Sequence, residues 1–268
     1  MRSENKILAV VGPTGSGKTN LGVRLAKVFD GVILSADSRQ VYKGLDVGTN
    51  KEGEPGRWQN QPARIIEGVP QLLVDIVEPE TPFTLNDWLE QAEDAVKLIW
   101  SHEKLPIIVG GTGLYVTALL EGYEPGAGRF SKRRRSNSFD SLILQPDVDR
   151  ETLYQKSDER FERIFDGLLD ETRTTLSQGV SHEWLEKLGL DYRFASFYLR
   201  QKMNRQIAIE EFQKSSRHYI RRQLTWWRHH GDIQFVKNEV EAEILVKKWL
   251  SYKNRRPKSP GPSPRLLR

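Results

Sequence analysis

The amino-acid sequence predicts an α/β fold, with helices covering both faces of a parallel β-sheet. Short apolar runs, which are typical of buried strands, alternate with segments in which apolar residues recur at helical spacing. Parallel strands need a crossover between them, so this alternation favours a parallel sheet. Polar and glycine-rich loops follow several of the runs. Ligands bind at the carboxyl ends of the strands in such sheets, so these loops are the candidate functional segments.

The predicted elements follow one another along the chain. The expected strands are the apolar runs at residues 7–11, 32–34, 72–77, 106–109, 142–144 and 233–236. The expected helices lie at residues 19–29, 85–100, 112–120, 149–177, 185–199 and 206–228. No run approaches the ~20 apolar residues that are needed to span a bilayer, so we expect no membrane partner.

The first strand is followed by GPTGSGKT at residues 12–19, which fits the pattern G-x-x-x-x-G-K-[ST] between a strand and a helix. Its glycines let backbone N–H groups converge on phosphate oxygens, and the helix N-terminus adds the positive end of its dipole. A plain strand–turn–helix corner would not need Gly-Lys-Thr. We predict a diphosphate or triphosphate site in a fold like that of the P-loop NTPases, with the Thr19 hydroxyl as a ligand of Mg²⁺. The expected phosphate-binding residues are Gly12, Thr14, Gly15, Ser16, Gly17, Lys18 and Thr19.

Two further loops are predicted at the same edge of the sheet. Residues 37–40 (DSRQ) follow the second strand, and residues 110–112 (GGT) follow the fourth. Asp37 and Thr112 could act chemically, or they could be a turn aspartate and a helix N-cap. Asp75, after the apolar residues 72–74, resembles a Walker-B aspartate that binds Mg²⁺ indirectly. A local hydrogen bond at the end of a strand is the alternative for Asp75.

The composition bounds the compartment and the partners. The 268 residues, of which 37% are hydrophobic, describe a soluble protein that can bury a full core. Cysteine is absent, which excludes disulfides and thiolate metal sites and favours a reducing cytoplasm. The first strand begins close to Met1, so we expect no signal peptide. The net charge of +5 favours a polyanionic partner, and no feature of the sequence calls for more than a monomer.

Two segments interrupt the alternation of strands and helices. Residues 122–138 are rich in Gly, Ser and Arg without an apolar period, which is typical of a flexible loop. The last fifteen residues, NRRPKSPGPSPRLLR, form a basic Pro/Ser tail that we expect to be disordered. We therefore divide the chain into a first part of the P-loop core at 1–123, a flexible linker at 124–138, the completion of the core with basic C-terminal helices at 139–253, and a disordered basic tail at 254–268.

Three motifs together resemble those of the tRNA dimethylallyltransferases, also called tRNA isopentenyltransferases. The family pattern combines GPTxSGKT, SADSxQVYxGxDxGT and PIxVGGTGLYxxALLxG. This chain has GPTGSGKT at 12–19, SADSRQVYKGLDVGT at 35–49 and PIIVGGTGLYVTALLEG at 106–122. Its segment SRHYIRRQLTWWR at 216–228 is similar to the family's C-terminal signature T-R-x-Y-A-K-R-Q-x-T-W-x-R. The resemblance covers most of residues 6–236.

The resemblance implies an activity and a role for each motif. The family transfers a dimethylallyl group from its diphosphate to the exocyclic amine of an adenine beside the anticodon of tRNA. Lys18 and Thr19 would then hold the departing diphosphate with Mg²⁺. The match makes Asp37 the base that takes the proton of the amine, with the Thr112 hydroxyl close to that amine. The residues implied for tRNA contact are Asp37, Ser38, Arg39, Gln40, Thr112, Arg217 and Arg221.

The last two of these residues belong to a basic helix. Arg217 and Arg221 fall on one stripe of the predicted helix 206–228, beside an apolar face. A solvated basic face is the alternative interpretation, and the family resemblance favours contact with RNA phosphates.

The chain departs from the family pattern after residue 122. The family normally continues there with several tens of residues, including a helical insertion that grips the anticodon arm, whereas this chain resumes its pattern at residue 139. We expect a shortened form with a complete catalytic core. Prenylation of a free adenine nucleotide is therefore an alternative function. A small-metabolite kinase that uses ATP is another, although it leaves the motif at 35–49 without a role.

Overall fold

The computed structural model describes residues 5–122, 139–229 and 232–252. Within these ranges the strands are β1 (Lys6–Val11), β2 (Gly31–Ser35), β3 (Glu54–Trp58), β4 (Gln61–Ile66), β5 (Val69–Leu72), β6 (Leu105–Gly110), β7 (Asp140–Pro146) and β8 (Ile233–Val236). The helices are α1 (Lys18–Val28), α2 (Leu85–Ser101), α3 (Gly113–Glu121), α4 (Arg150–Ser177), α5 (His182–Leu188), α6 (Leu190–Leu199), α7 (Arg205–His229) and α8 (Glu239–Ser251).

The strands form one sheet in the order β3-β4-β5-β2-β6-β1-β7-β8. From β5 to β8 every neighbouring pair is parallel. The central strand β1 lies between β6 and β7, so that Leu8 is opposite both Ile107 and Leu142. All residues of β1, β2 and β6 are buried. Burial on both faces explains why these strands are continuous apolar runs in the sequence.

Helices cover both faces of the sheet, as predicted. Side chains alternate between the faces along a strand, and Leu8 and Val10 of β1 pack in a core with α1 and α8. Ile7 and Ala9 point the other way, into a larger core that includes α2, α3 and helices α4 to α7. The α/β class and the two-sided arrangement of helices are thereby confirmed.

The predicted strand at residues 72–77 is wrong in position, and the antiparallel part of the sheet is absent from the prediction. Strand β5 ends at Leu72, because the backbone then takes positive φ angles at Leu73 (63°) and Asp75 (55°). Strands β3 and β4 pair as an antiparallel hairpin through Gln59 and Asn60, both with positive φ. Two such residues form the turn that joins tightly twisted strands. Strand β3 has no buried residue, so no apolar run marks it in the sequence.

The predicted helix at 185–199 is two helices in the structure. The break is at Gly189, which has an extended backbone (φ −174°, ψ 170°) between α5 and α6. A Cβ atom at this position would come within 2.9 Å of Arg39 Nε, so a glycine here leaves room for that side chain. Helix α8 is a further element that the prediction lacks.

The two predicted parts of the core share a single sheet, because β7 pairs with β1. The predicted linker at 124–138 and tail at 254–268 lie outside the described residues. Within the described ranges, none of the helices has the length and apolar character that crossing a membrane requires.

Candidate active site

A cavity of about 360 Å³ opens at the carboxyl ends of β1, β2 and β6. Its lining comes mainly from the loop before α1, the loop after β2, residues 48–50 and 52, and one face of α4. Eight of the predicted site residues line it. They are Thr14, Gly15, Gly17, Lys18, Thr19, Asp37, Arg39 and Gln40.

The loop at residues 12–19 has the backbone of an anion-binding loop. Gly12, Gly15 and Gly17 have φ angles of 143°, 82° and 81°, in the region that favours glycine. Helix α1 begins at Lys18 with no side chain capping its N-terminus, so its first N–H groups remain available to a ligand. The buried hydroxyl of Ser16 has no hydrogen-bond partner among the described residues. An unpaired buried polar group beside free N–H groups fits a bound phosphate.

Lys18 places a half-buried ammonium group in this cavity. Its Nζ donates to the carbonyl of Pro13 at 3.3 Å. Burial lowers the pKa of Lys18, and the negative charges of Asp37 and Glu52 act in the opposite direction. The ammonium group is therefore short of compensating charge, which a diphosphate in the cavity would supply.

The structure brings Asp37 and Thr112 together, although they are 75 residues apart in sequence. Asp37 Oδ1 accepts a hydrogen bond from the backbone N–H of Arg39 at 2.9 Å. The Thr112 hydroxyl oxygen accepts from the N–H of Ser38 at 3.3 Å. A Cβ atom at Gly110 would lie 2.2 Å from the carbonyl oxygen of Ala36, so only glycine permits this approach of the two loops. Asp37 Oδ2 makes no hydrogen bond within the described part of the chain.

Arg39 and Gln40 line the cavity and also form hydrogen bonds to the neighbouring segments of the chain. Arg39 Nε donates to the carbonyl of Leu188 at 2.9 Å, and its guanidinium lies over the ring of Tyr219. Gln40 Nε2 donates to the carbonyl of Thr49 at 3.2 Å, while its Oε1 accepts from the hydroxyl of Ser35. Both side chains therefore have structural partners as well as a face toward the cavity.

The sequence reasoning missed the contribution of α4. Lys156, Arg160 and Arg163 of this helix line the cavity, and their spacing of four and three residues places them on one helical face. That spacing is the signal that could have identified them. Arg160 is committed to the carbonyls of Val47 and Gly48 and to other partners. Lys156 and Arg163 are exposed and make no ion pair with any described residue.

Glu171 of α4 holds the loop that forms the opposite wall. Its Oε2 accepts hydrogen bonds from the N–H groups of Asp46 at 2.6 Å and Val47 at 2.7 Å. Its Oε1 accepts from the N–H of Gly48 at 3.1 Å and from the hydroxyl of Tyr192 at 2.7 Å. One carboxylate thus fixes three successive backbone amides next to the cavity lining at residues 48–50.

Asp75 lies outside the cavity lining. Its two oxygens are bonded to Lys51 Nζ at 2.5 Å and Arg64 Nε at 2.6 Å. Asp46 pairs with the same two cations, and the four residues form a network below the loop at 46–53. Because its oxygens already have cationic partners, we do not include Asp75 in the metal site proposed below.

Arg217 and Arg221 also lie outside the cavity. Arg217 forms an ion pair with Asp158 of α4 at 2.6 Å. Arg221 borders a separate groove on α7. Gln223 of the same helix links the loop at 12–19 to the GGT turn at 110–112. Its Oε1 accepts from Thr14 N and its Nε2 donates to the carbonyl of Gly111, both at 3.1 Å.

Among residues 5–122, 139–229 and 232–252, no group of three or more His, Asp or Glu side chains has the arrangement of a metal site. A metal in this cavity would have few protein ligands. Mg²⁺ commonly binds in that way, through one or two protein oxygens together with phosphate oxygens and water. The Thr19 hydroxyl, in the first turn of α1 at the cavity, is a suitable protein oxygen.

Comparison with known proteins gives consistent matches. Residues 40–134 and 126–230 match the family described as IPP transferase. The chain is 31% identical to the tRNA dimethylallyltransferase of Endomicrobium trichonymphae, covering 88% of this chain and 97% of the relative. It is 32% identical to the enzyme of the same name from Lactococcus lactis subsp. lactis, covering 86% and 92%.

The fold has the same relatives. The crystal structure of the full-length tRNA isopentenylpyrophosphate transferase from Bacillus halodurans matches with a TM-score of 0.79 and 25% identity, over 92% of this chain and 97% of that one. Sequence and fold therefore agree, and the chain belongs to the IPP transferase family.

Proposed function

We propose that this protein transfers a dimethylallyl group from dimethylallyl diphosphate to the exocyclic amine of the adenosine next to the anticodon in tRNA. The observation that carries the proposal is a single cavity that contains Lys18, Thr19 and Asp37. A phosphate-binding loop alone suits many reactions. A carboxylate facing the same cavity adds a base for an acceptor group, and the names of the relatives agree with this combination.

The diphosphate end of the donor binds in the loop at residues 12–19. Free N–H groups at the start of α1 and the ammonium of Lys18 face the negative charge that grows as the allylic C–O bond breaks. Lys156 and Arg163, on the facing side of α4, supply further positive charge. The pyrophosphate departs with the electron pair of that bond.

The residues present fit Mg²⁺ as the cofactor, with the Thr19 hydroxyl as its protein ligand. When bound, the ion neutralises part of the charge on the diphosphate oxygens. Lys18 and the α1 N-terminus do the same from the protein side.

The acceptor amine lies on the Asp37 side of the cavity. An adenine amine is a weak nucleophile, because its lone pair is delocalised into the ring. Asp37 accepts the amine proton as the new C–N bond forms, so that charge is balanced at both ends of the reaction. The Thr112 hydroxyl, bonded to Ser38 N, holds the turn that presents Asp37. A stacked base cannot reach such a cavity, so the adenosine must be flipped out of the anticodon loop.

The setting of the reaction follows from the same features. The cysteine-free sequence favours a reducing compartment, and we propose that the protein meets tRNA in the cytoplasm. We also propose a monomer as the active form, since no feature of the sequence calls for a second chain.

Labelled dimethylallyl diphosphate tests this function directly. The purified protein is incubated with unmodified tRNA, with AMP or without acceptor, each with Mg²⁺ and with a chelator. We expect label in tRNA only, and only with Mg²⁺. Label in AMP would favour the free-nucleotide alternative, and ATP consumption without any prenyl transfer would contradict the proposal.

A further inference from the structure

Glu52 is an acidic residue of the cavity to which the proposed reaction gives no role. It lines the cavity together with Lys18 and Thr19, at the start of α1. Burial lowers the pKa of Lys18, and the negative charges of Asp37 and Glu52 oppose this effect. The Glu52 carboxylate is therefore within electrostatic reach of the phosphate-binding loop.

The residues on either side of Glu52 are fixed in the fold. The side chain of Lys51 is fully buried, and its Nζ is bonded to Asp75 at 2.5 Å. Gly53 has a φ angle of 74°, and a Cβ atom there would lie 2.5 Å from the carbonyl oxygen of Ile65 on β4. Among the described residues 51–53, Glu52 is the one that lines the cavity. Its two neighbours thus hold the segment so that Glu52 faces the diphosphate site.

The charge of Glu52 lacks a cation at ion-pair distance. Asn50 Nδ2 donates to Glu52 Oε1 at 3.4 Å, and Glu52 forms no ion pair with any described residue. Asp191, which also lines the cavity, is paired with Arg160 at 2.7 Å. A diphosphate bound beside Lys18 would bring further negative charge toward Glu52, and like charges repel. A cation shared by the carboxylate and the diphosphate would turn this repulsion into attraction.

We propose that Glu52 and the Thr19 hydroxyl together hold the Mg²⁺ that accompanies the diphosphate. Carboxylate and phosphate oxygens suit this ion, which commonly takes one or two protein oxygens besides those of the phosphates. Asp75 then acts at one remove, because it fixes Lys51, the residue before Glu52. The inference rests on the proposed function, since it takes a diphosphate to be the ligand of the loop at 12–19.

The test titrates inorganic pyrophosphate into the full chain by calorimetry, once with excess Mg²⁺ and once with a chelator. The ratio of the two dissociation constants is the coupling factor between metal and pyrophosphate. Pyrophosphate also binds Mg²⁺ in free solution, but this effect is equal for all variants and cancels between them. For Glu52→Gln we expect the coupling factor to fall about 10- to 100-fold, the usual cost of losing a group that supports a metal. With the chelator, the variant should bind pyrophosphate at least as tightly as the wild type, because a negative charge beside the anion is gone.

Glu159→Gln is the matched control, because Glu159 also lines the cavity but is exposed on α4, and its coupling factor should equal that of the wild type. Glu52 is half-buried and its hydrogen bond to Asn50 is long, so Glu52→Gln should fold normally. An unchanged coupling factor in Glu52→Gln would overturn the metal role. So would pyrophosphate binding that weakened equally with Mg²⁺ and with the chelator, since that result would show a structural role. If the wild-type protein kept its coupling factor but transferred no prenyl group to tRNA, the proposed function alone would fail, so the two failures are distinguishable.

Discussion

Lys18 and Asp37 face the same cavity, yet their roles predict different defects on substitution. In the proposed reaction Lys18 binds the leaving diphosphate, which is present before and after the chemical step. Asp37 accepts a proton that moves only as the C–N bond forms. Loss of Lys18 should therefore weaken binding, whereas loss of Asp37 should slow the reaction.

We expect Asp37→Ala to lower kcat for prenyl transfer by about 100- to 10,000-fold, the usual contribution of a general base. The KM for dimethylallyl diphosphate should stay close to that of the wild type. Steady-state kinetics with labelled donor and saturating tRNA measure both quantities. Turnover within a few fold of wild type would remove Asp37 from the role of base.

Lys18→Ala should weaken binding of inorganic pyrophosphate by about 10- to 100-fold, because hydrogen bonds to charged groups contribute about 1.5–3 kcal/mol each. Isothermal titration gives the dissociation constant.

The affinity of the wild-type protein for pyrophosphate should also fall as pH rises. This fall should begin below the pKa of 10.5 of an ordinary lysine, since burial lowers the pKa of Lys18 in the free protein. Lys18→Arg, which stays charged throughout, should lack that fall. An equal pH profile in both proteins would contradict the assignment.

Single residues also show where sequence reasoning reaches its limit. The loop at 12–19 and the pair Asp37 and Thr112 could be predicted, because short motifs follow strands whose carboxyl ends meet at one edge of the sheet. The spacing of Lys156, Arg160 and Arg163 could have indicated a basic face on α4. The role of Glu171 could not be predicted, since the direction of this long helix across the site depends on tertiary packing. In sequence Asp75 resembles an aspartate that binds Mg²⁺ indirectly. Its ion pairs with Lys51 and Arg64 depend on the folded structure and could not be predicted from the sequence.

At the scale of elements, α4 is the second support of the site. It presents cations to the cavity along one face and, two turns further on, holds the loop at 46–48 through Glu171. Gln40 donates hydrogen bonds to the carbonyls of Thr49 and Asn50. A shift of this loop would therefore also shift the turn that carries Asp37.

Glu171→Gln should therefore impair catalysis from a distance. The variant keeps one acceptor oxygen, but its new NH2 group faces hydrogen-bond donors on the loop and cannot accept from them, so we expect the free energy of unfolding to fall by about 1–3 kcal/mol. Prenyl-transfer kcat should fall by about tenfold as the loop shifts. Denaturant unfolding and kinetics check the two effects. Glu151→Gln, at the exposed start of the same helix, is the control, and equal behaviour of the two variants would show that Glu171 has no positioning role.

Elements buried on both faces were the easiest to predict, and exposed ones the hardest. Strands β1, β2 and β6 are continuous apolar runs, so their positions follow from the sequence. Strand β3 has no buried residue, and hairpin pairing rather than burial defines it. The break between α5 and α6 falls at Gly189, where a Cβ atom would crowd the Arg39 side chain of a distant loop, and the local sequence does not show that contact.

For the whole molecule, the strand order explains why one cavity can hold both substrates. Strand β6 lies between β1 and β2, so the loop at 12–19, the loop after β2 and the GGT turn meet side by side. Helices α4 and α7 close this edge from the other side, since Gly15 lies against Lys156 and Gln223 bonds to Thr14. The proposed diphosphate site is therefore built from both the N-terminal and the C-terminal parts of the chain.

A ligand that joins distant parts of a chain should stabilise the whole fold. At a concentration 100 times its dissociation constant, pyrophosphate with Mg²⁺ should add about 2.7 kcal/mol to the free energy of unfolding. For a chain of this size the melting temperature should rise by about 5–10 °C, which differential scanning fluorimetry can measure. Lys18→Ala should lose the shift at the same ligand concentration, and a chelator should reduce it in the wild-type protein if Thr19 and the diphosphate share Mg²⁺. A wild-type melting temperature that did not respond to pyrophosphate would mean that the loop at 12–19 does not bind the donor through its diphosphate.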